Sequence, residues 1–552
     1  MAPFTKILLE RSNSTPDRLA YRFLSGDSLP EELTYLDLWN YASSLAALLR
    51  DKGLEGQRVL LALRAQRDFV IAFYACLLAQ VIAVPTAIPR KLLLSDRMER
   101  LATDARATAV IFDSAEFESV RIHANGSPLL AIDLRSEETK RAMQARGSSE
   151  CAVIVVPEKN DIAFLQYTSG STGDPKGVVV THGNLTHNSG EINDAMAITH
   201  ESSVLTALPL FHDMGLIGGV LQPMFAGCPA TIMSPVECAQ HPEQWIQLIS
   251  AYQITVSGGP NFMYELAVKA RDHHVMKSVD LSKWSVAFCG AEPIRRSTVE
   301  RFCAAFQPLG FNASAFFPCY GMAESTLFIT GNHAVDALDA AREDSKSPMG
   351  CGYPRRSTRI AIVDPDTRIA LEEGEVGEIW ASGPSVAQGY WMRPELTHET
   401  FQATLPGQPD AKYLRTGDLG YWKDNCLYVT GRLKDLIIIN GKNYAPQDLE
   451  DEVESSHEAL RPRGSAAFSL SDQEGEHLVI VAELERDWLR RVDDWPQVVS
   501  AIRSAISRSH RVNVHDVQFL KPGALPKTSS GKVRRSQCRS EYEQGKNSPA
   551  VA

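Results

Sequence analysis

Apolar and polar positions in the early chain follow two alternating periods. Leu36–Asp51 (LDLWNYASSLAALLRD) carries apolar residues at helical spacing, with Thr34 near its start and Gly53 as a stop, which predicts an amphipathic helix. Arg58–Leu63 (RVLLAL) is a continuous apolar run of strand length. Phe69–Pro85 (FVIAFYACLLAQVIAVP) is apolar apart from Gln80 and is stopped by Pro85. A membrane span needs about 20 apolar residues, so this run predicts a buried helix from Phe69 leading into a buried strand over Val81–Pro85. A further short strand is predicted at Ala109–Phe112. Helix–strand alternation of this kind predicts α/β layers on largely parallel sheets.

The pattern changes after about residue 430. Leu436–Ile439, Ser465–Ser469 and Leu478–Leu484 have strand character, and Gln447–Ser456 and Trp495–Arg508 have helical character, together predicting a compact α+β unit. Gly431 and the charged residues of Gly431–Asp435 mark the junction, and the chain from about Gln544 has the composition of a frayed tail.

The 552 residues are 44% hydrophobic and 22% charged, which is ordinary for a globular protein with a sizeable core. Lys and Arg number 56 against 67 Asp and Glu, a net charge of −11. That balance argues against nucleic-acid binding and against anionic membrane surfaces, both of which need a basic face. The N-terminal stretch MAPFTKILLERSNSTPDR lacks a signal-peptide core. The ten cysteines are scattered, without a C-x-x-C pair. The expectation is a cytoplasmic protein with reduced, mostly buried thiols and no transmembrane segment.

The most informative stretch is Tyr167–Val178, YTSGSTGDPKGV, set between strand-like runs at Ile162–Gln166 and Val178–Thr181. Its glycines let backbone amides converge on an anion, its hydroxyls add donors and Lys176 adds charge, so it reads as a phosphate-cradling loop. Lys176 is followed by Gly177, which separates it from the Walker A pattern. Other patterns carry less. Gly26-Asp27-Ser28-Leu29 lies in FLSGDSLPEELTY, which reads as a surface hairpin, and His273–His274 lies in a polar helical region as an exposed pair. Lys527, Lys532, Arg534, Arg535 and Arg539 form a basic run that reads as a solvated face or as a docking patch for an acidic protein.

YTSGSTGDPKGV resembles the phosphate loop of the adenylate-forming superfamily. Six further segments follow in that superfamily's order: PLFHDMGL (Pro209–Leu216), FCGAEPI (Phe288–Ile294), YGMAEST (Tyr320–Thr326), LRTGDLG (Leu414–Gly420), GRLKDLIIINGKNYAPQDLE (Gly431–Glu450) and PKTSSGKVRR (Pro526–Arg535). The wording of these segments, with SGGPNF at Ser257–Phe262 and SGPSVAQGYW at Ser382–Trp391, looks most like the fatty acyl-AMP ligases.

The resemblance implies an α/β fold: a large N-terminal body of layered α/β subdomains plus a β-rich subdomain over residues 1–430, a hinge at 431–435, a small mobile α+β C-terminal lid at 436–545 and a tail at 546–552. It implies ATP and Mg²⁺, a fatty acid substrate and an acyl carrier protein as acceptor. By family position, Thr168, Ser169, Gly170, Ser171, Thr172, Gly173 and Lys176 would hold the β,γ-phosphates, and Glu324 would ligate Mg²⁺. Gly290, Ala291, Glu292, Tyr320, Gly321 and Met322 would form the adenine slot. Asp418 would accept the ribose hydroxyls, Arg432 would act at the ribose–phosphate region, and His212 would lie near the adenylate and the mouth of the acyl channel. Lys532 would stabilise charge at the α-phosphate, and Lys434 would be the hinge. Gly215–Val220 and Gly258–Met263 are candidate channel walls.

One departure concerns the acceptor. The stretch between Thr330 and Gly352 is shorter than the insertion typical of fatty acyl-AMP ligases, which leaves CoA, and an acyl-CoA synthetase, as the alternative. A non-catalytic adenylate-binding homologue is the reading from a different class, opposed by the joint presence of Lys176, Glu324, Asp418, Arg432 and Lys532.

Overall fold

Thr34 caps the helix predicted after it. Its hydroxyl accepts from the Asp37 amide at 3.1 Å while Asp37 Oδ2 accepts from the Thr34 amide at 3.1 Å, and the helix Tyr35–Asp51 follows. The computed structural model describes residues 2–26, 28–88, 95–117, 122–144, 155–169, 175–333, 348–439, 442–472, 475–528 and 531–545. The apolar stripe Leu38, Ala42, Leu45 and Leu49 is fully buried, in one core with the helix Gln66–Leu78. That second helix is buried on every side from Phe69 to Leu78, as its unbroken apolar sequence requires. The strand Ile82–Pro85 continues from it. Among the described residues, no helix is long and apolar enough to cross a membrane.

Among the described residues, those before the junction build two largely parallel sheets, one antiparallel sheet and a small ribbon pairing His123–Ala124 with Ser127–Pro128. The larger has eight strands, in the order Phe328–Gly331, Phe316–Gly321, Val286–Cys289, Val256–Gly259, Val204–Thr206, Ala230–Ile232, Leu19–Phe23 and Glu31–Thr34. Only its two edge strands run antiparallel to their neighbours. The second has six strands, with Arg58–Ala62 at its centre and the hairpin Ile162–Ser169/Pro175–Thr181 at one edge. The third joins Arg359–Val363, Gly377–Ser382, Gln408–Lys423, Ala403–Leu405 and Cys426–Arg432. FLSGDSLPEELTY spans the hairpin between Leu19–Phe23 and Glu31–Thr34, with Leu29 91% exposed; Asp27 lies outside the described residues.

Past the turn Leu433–Asp435, the strands Leu460–Asp472, Gly475–Leu484 and Val514–Leu520 form a separate sheet. Side-chain alternation along Gly475–Leu484 covers both its faces. Leu478, Ile480 and Ala482 pack with Leu449, Val453, Val498, Ile502 and Ile506 of the helices Pro446–Ser456 and Trp495–His510. Val479 and Val481 face Phe468 and Cys538 of the helix Arg535–Glu543.

One member of the basic run near the C-terminus departs from the solvated-face expectation. Arg535 is only 13% exposed in its side chain: Nε and Nη2 donate to the two Glu450 oxygens at 2.7 and 2.6 Å, and Nη1 donates to Asp435 Oδ2 at 3.0 Å. Lys527 and Arg539 stay exposed, as that expectation has it. A run of like charges in sequence is here divided by the fold, because the helix start places Arg535 against the acidic helix Pro446–Ser456.

Candidate active site

In the glycine-rich hairpin, Lys176 stands opposite Thr168 and Pro175 opposite Ser169. Gly170, Ser171, Thr172 and Gly173 lie outside the described residues. Gly389–Trp391 runs beside the second strand: the Val179 amide donates to Gly389 O at 2.9 Å and the Trp391 amide to Gly177 O at 2.7 Å. This places Tyr390 between two groups of the site. Its ring centroid lies 5.5 Å from Lys176 Nζ, and its hydroxyl donates to Glu324 Oε1 at 2.8 Å. Burial pushes the Glu324 carboxyl above the usual carboxylate range, and the Tyr390 hydrogen bond opposes that rise.

Tyr320 closes the strand Phe316–Gly321, and its hydroxyl donates to Asp418 Oδ2 at 2.8 Å. Asp418 and Arg432 are register partners on neighbouring strands, and Arg432 Nε lies 3.2 Å from Asp418 Oδ1. The Asp418 carboxylate holds Arg432 firmly charged. After Tyr320, a Cβ on Gly321 would fall 1.7 Å from Leu327 O, so only glycine lets the chain pass there. Ala291 adopts a left-handed φ of 70° in the turn after Val286–Cys289. Next to it, Glu292 Oε2 accepts from Arg463 at 3.0 Å, while Oε1 is buried without a hydrogen-bond partner among the described residues.

His212 precedes a π-helix, Met214–Leu221, and its ring centroid lies 4.7 Å from that of Phe211. Single stretches of π-helix recur at functional sites. From the other side of the molecule, the C-terminal unit lowers Lys532 into the same space. Burial, and then the Arg432 cation, hold its ammonium below the usual lysine range, against the pull of Asp213, Asp418 and Glu292. The Lys532 amide donates to the Thr528 hydroxyl at 3.0 Å, and the Thr528 amide to Lys532 O at 2.8 Å, which fixes the turn carrying it.

One cavity of about 2240 Å³ collects these groups. Thr168, Lys176, His212, Ala291, Glu292, Tyr320, Gly321, Met322, Glu324, Asp418, Arg432, Lys434 and Lys532 all line it. Gly290 is absent from the wall; it is buried behind it, where an added Cβ would meet Cys319 O at 2.9 Å. Lys434 is exposed, in the turn Leu433–Asp435 that joins the two units.

The cavity continues along apolar walls: Ile192, Met196 and Ile198, then Gly215, Gly218 and Leu327. Of the two segments expected to line it, Gly215 and Gly218 do so from the first, and Pro260 through Met263 from the second. Two buried amides interrupt the wall. Gln166 Nε2 donates to Phe211 O at 3.0 Å and Gln222 Nε2 to Asn193 Oδ1 at 2.5 Å, and neither carbonyl oxygen has a hydrogen-bond partner among the described residues. Cys238, Cys319 and Cys351 also line the cavity.

The sequence reading assigned no role to Tyr390, Arg463, Gln166 or Gln222. Tyr390 was within reach, since it sits in the quoted segment SGPSVAQGYW; Arg463 offered no signal beyond a charge between Pro462 and Gly464.

Residues 8–391 match the family described as AMP-binding enzyme, and residues 434–550 match the family described as Disco-interacting protein 2-like, AMP domain. The chain is similar to the medium-chain-fatty-acid–acyl-carrier-protein ligase JamA of Moorena producens, 38% identical over 98% of this chain and 95% of that protein. It is also similar to the medium-chain-fatty-acid–acyl-carrier-protein ligase TtuA of Teredinibacter turnerae, 32% identical over 98% of this chain and 93% of that one. Among solved structures, the fatty acyl-adenylate ligase from L. pneumophila in complex with acyl adenylate and pyrophosphate matches with a TM-score of 0.73 and 35% identity. That match covers 98% of this chain and 96% of the other.

Proposed function

Because this chain belongs to the AMP-binding enzyme family, we propose that it activates a fatty acid with ATP to an acyl-adenylate, releasing pyrophosphate, and then passes the acyl group to the phosphopantetheine thiol of an acyl carrier protein. One observation carries the reading. Lys532 of the C-terminal unit shares a cavity with Asp418, Arg432 and Glu324 of the body, and that cavity runs on between apolar walls.

The groups present fit a nucleotide. Asp418 is an acceptor for ribose hydroxyls, the free Glu292 Oε1 is an acceptor in the adenine slot, and Lys176, Arg432 and Lys532 are cations for phosphates. They fit Mg²⁺ as well. Glu324 is a buried carboxyl pushed towards its neutral form, a state that a divalent cation would reverse; Glu324 would hold Mg²⁺, which would supply positive charge for phosphate oxygens. With the fatty acid carboxylate near His212, one of its oxygens attacks the α-phosphorus and pyrophosphate leaves. Lys532 and Arg432 stabilise the charge that builds on the equatorial and bridging oxygens. In the second half-reaction the carrier thiol attacks the acyl carbonyl and AMP departs. For that step the lid turns about Lys434.

ATP–pyrophosphate exchange over a panel of fatty acids tests the first half, and mass spectrometry of products with holo carrier protein or CoA tests the second. Exchange with acyl loading of the carrier is expected. Absence of exchange with every acid overturns the adenylation reading, and efficient acyl-CoA formation overturns the choice of acceptor.

Chain length is set by the apolar branch, and Gly218 is its most open point. A Cβ there meets only Leu327 Cδ2, at 3.7 Å, and the backbone conformation accepts a side chain. Gly218→Leu is expected to lower kcat/KM for long acids by about fourfold for each methylene displaced, while short acids keep their rates. A chain-length series of exchange rates checks this.

A further inference from the structure

Arg463 stands out in the lid. It lies where the pairing of Leu460–Asp472 with Gly475–Leu484 shifts register, and its φ is 59°, a left-handed conformation that glycine accepts and arginine resists. Strain of this kind persists where the surroundings over-determine it. Here the side chain leaves its own unit. Nη2 donates to Glu292 Oε2 at 3.0 Å and lies 3.5 Å from Gly531 O, and the guanidinium carbon sits 5.3 Å from the Phe262 ring centroid. Glu292 and Phe262 belong to the body, and Gly531 is the residue before Lys532. The ion pair is largely withdrawn from water, with side chains 21% and 16% exposed.

A second lid–body link behaves differently. Arg295 pairs with Asp451 Oδ1 at 2.5 Å and lies 3.7 Å from Glu454 Oε2, both on the helix Pro446–Ser456. Arg295 thus fastens the lid through the helix Pro446–Ser456, whereas the Arg463 side chain also reaches the turn that carries Lys532.

We propose that Arg463 is a positioning residue for adenylation, a strut that holds the Gly531–Lys532 turn against Glu292 so that the Lys532 ammonium stays at the reacting phosphate in this pose. The inference rests on the reading of Lys532 as the adenylation lysine. Both contacts are made by one nitrogen of the planar fork, Nη2, while the fork lies over the Phe262 ring, a combination that a lysine ammonium on the same stem makes less well. The strained backbone aims that fork out of the lid.

The test compares wild type, Arg463→Gly, Arg463→Lys and Arg295→Ala. It measures pyrophosphate exchange, acyl transfer from purified acyl-adenylate, and Tm. Arg463→Gly is expected to lower the kcat of exchange about tenfold with the KM for ATP unchanged, to leave acyl transfer within about twofold, and to keep or raise Tm as the left-handed strain is relieved. Arg463→Lys is expected to fall between it and wild type, and Arg295→Ala to slow exchange less than Arg463→Gly. Equal losses in both half-reactions, unchanged exchange, or a Tm drop shared by the Gly and Lys variants would each overturn the proposal. No exchange by wild type with any acid is a separate result, which overturns the adenylation reading beneath it.

Discussion

Lys532→Ala is expected to slow ATP–pyrophosphate exchange by about 10²–10³ while acyl transfer from purified acyl-adenylate proceeds near the wild-type rate. The asymmetry follows from where the charge is held. Lys532 reaches the cavity on a turn of the lid, and its ammonium is destabilised there by burial and by Arg432. A triphosphate entering the same space supplies the negative charge that this ammonium lacks, and the benefit grows as the α-phosphate becomes pentavalent. The thiol transfer step builds its charge on a carbonyl oxygen, and in the proposed cycle the lid has by then turned about Lys434. Single-turnover measurement of each half-reaction checks this, and equal losses in both would remove Lys532 from its assigned role.

Lys434→Pro is expected to preserve exchange and to reduce acyl transfer by about 10² or more. Lys434 lies in a single 3-10 turn, Leu433–Asp435, whose backbone angles are close to those of a proline ring. The substitution therefore fits the observed pose and penalises any rotation that takes the residue out of it. On either side the chain is held firmly. Arg432 is paired in its strand to Asp418, and Asp435 is bonded to Arg535 of the lid. Lys434 lies between these two anchors, so a pivot there turns the lid as one piece. Loss of both half-reactions would point to misfolding, and survival of both would move the pivot elsewhere.

Much of the fold could be read from local pattern, because it is written in local periods. Thr34 and Asp37 announce a helix by their spacing, and the unbroken run after Phe69 announces a helix with no exposed face. The cavity residues were legible through resemblance, since Lys176, Glu324, Asp418, Arg432 and Lys532 each sit in an ordered segment and meet in one place. What escaped depends on contacts between distant parts of the chain. Arg463 and Glu292 are 171 residues apart, and Tyr390 and Glu324 are 66 apart. No period or motif links such pairs. The π-helix at Met214–Leu221 was hidden for another reason: MGLIGGVL is too apolar and too short for its winding to show in side-chain spacing. Arg535 escaped the solvated-face expectation, which Lys527 and Arg539 meet, because charge in sequence says nothing of which members turn inward.

An acyl-adenylate is a mixed anhydride, and any ionised thiol beside it is a chemical threat. Three cysteines line this cavity, yet burial drives Cys238 and Cys319 up to about 12 and Cys351 well above the usual thiol range. At neutral pH a thiol of that kind is ionised about once in 10⁵. Dry walls thus keep the enzyme from acylating itself, and they leave an incoming pantetheine thiol, arriving from water, as the nucleophile that the bound anhydride meets.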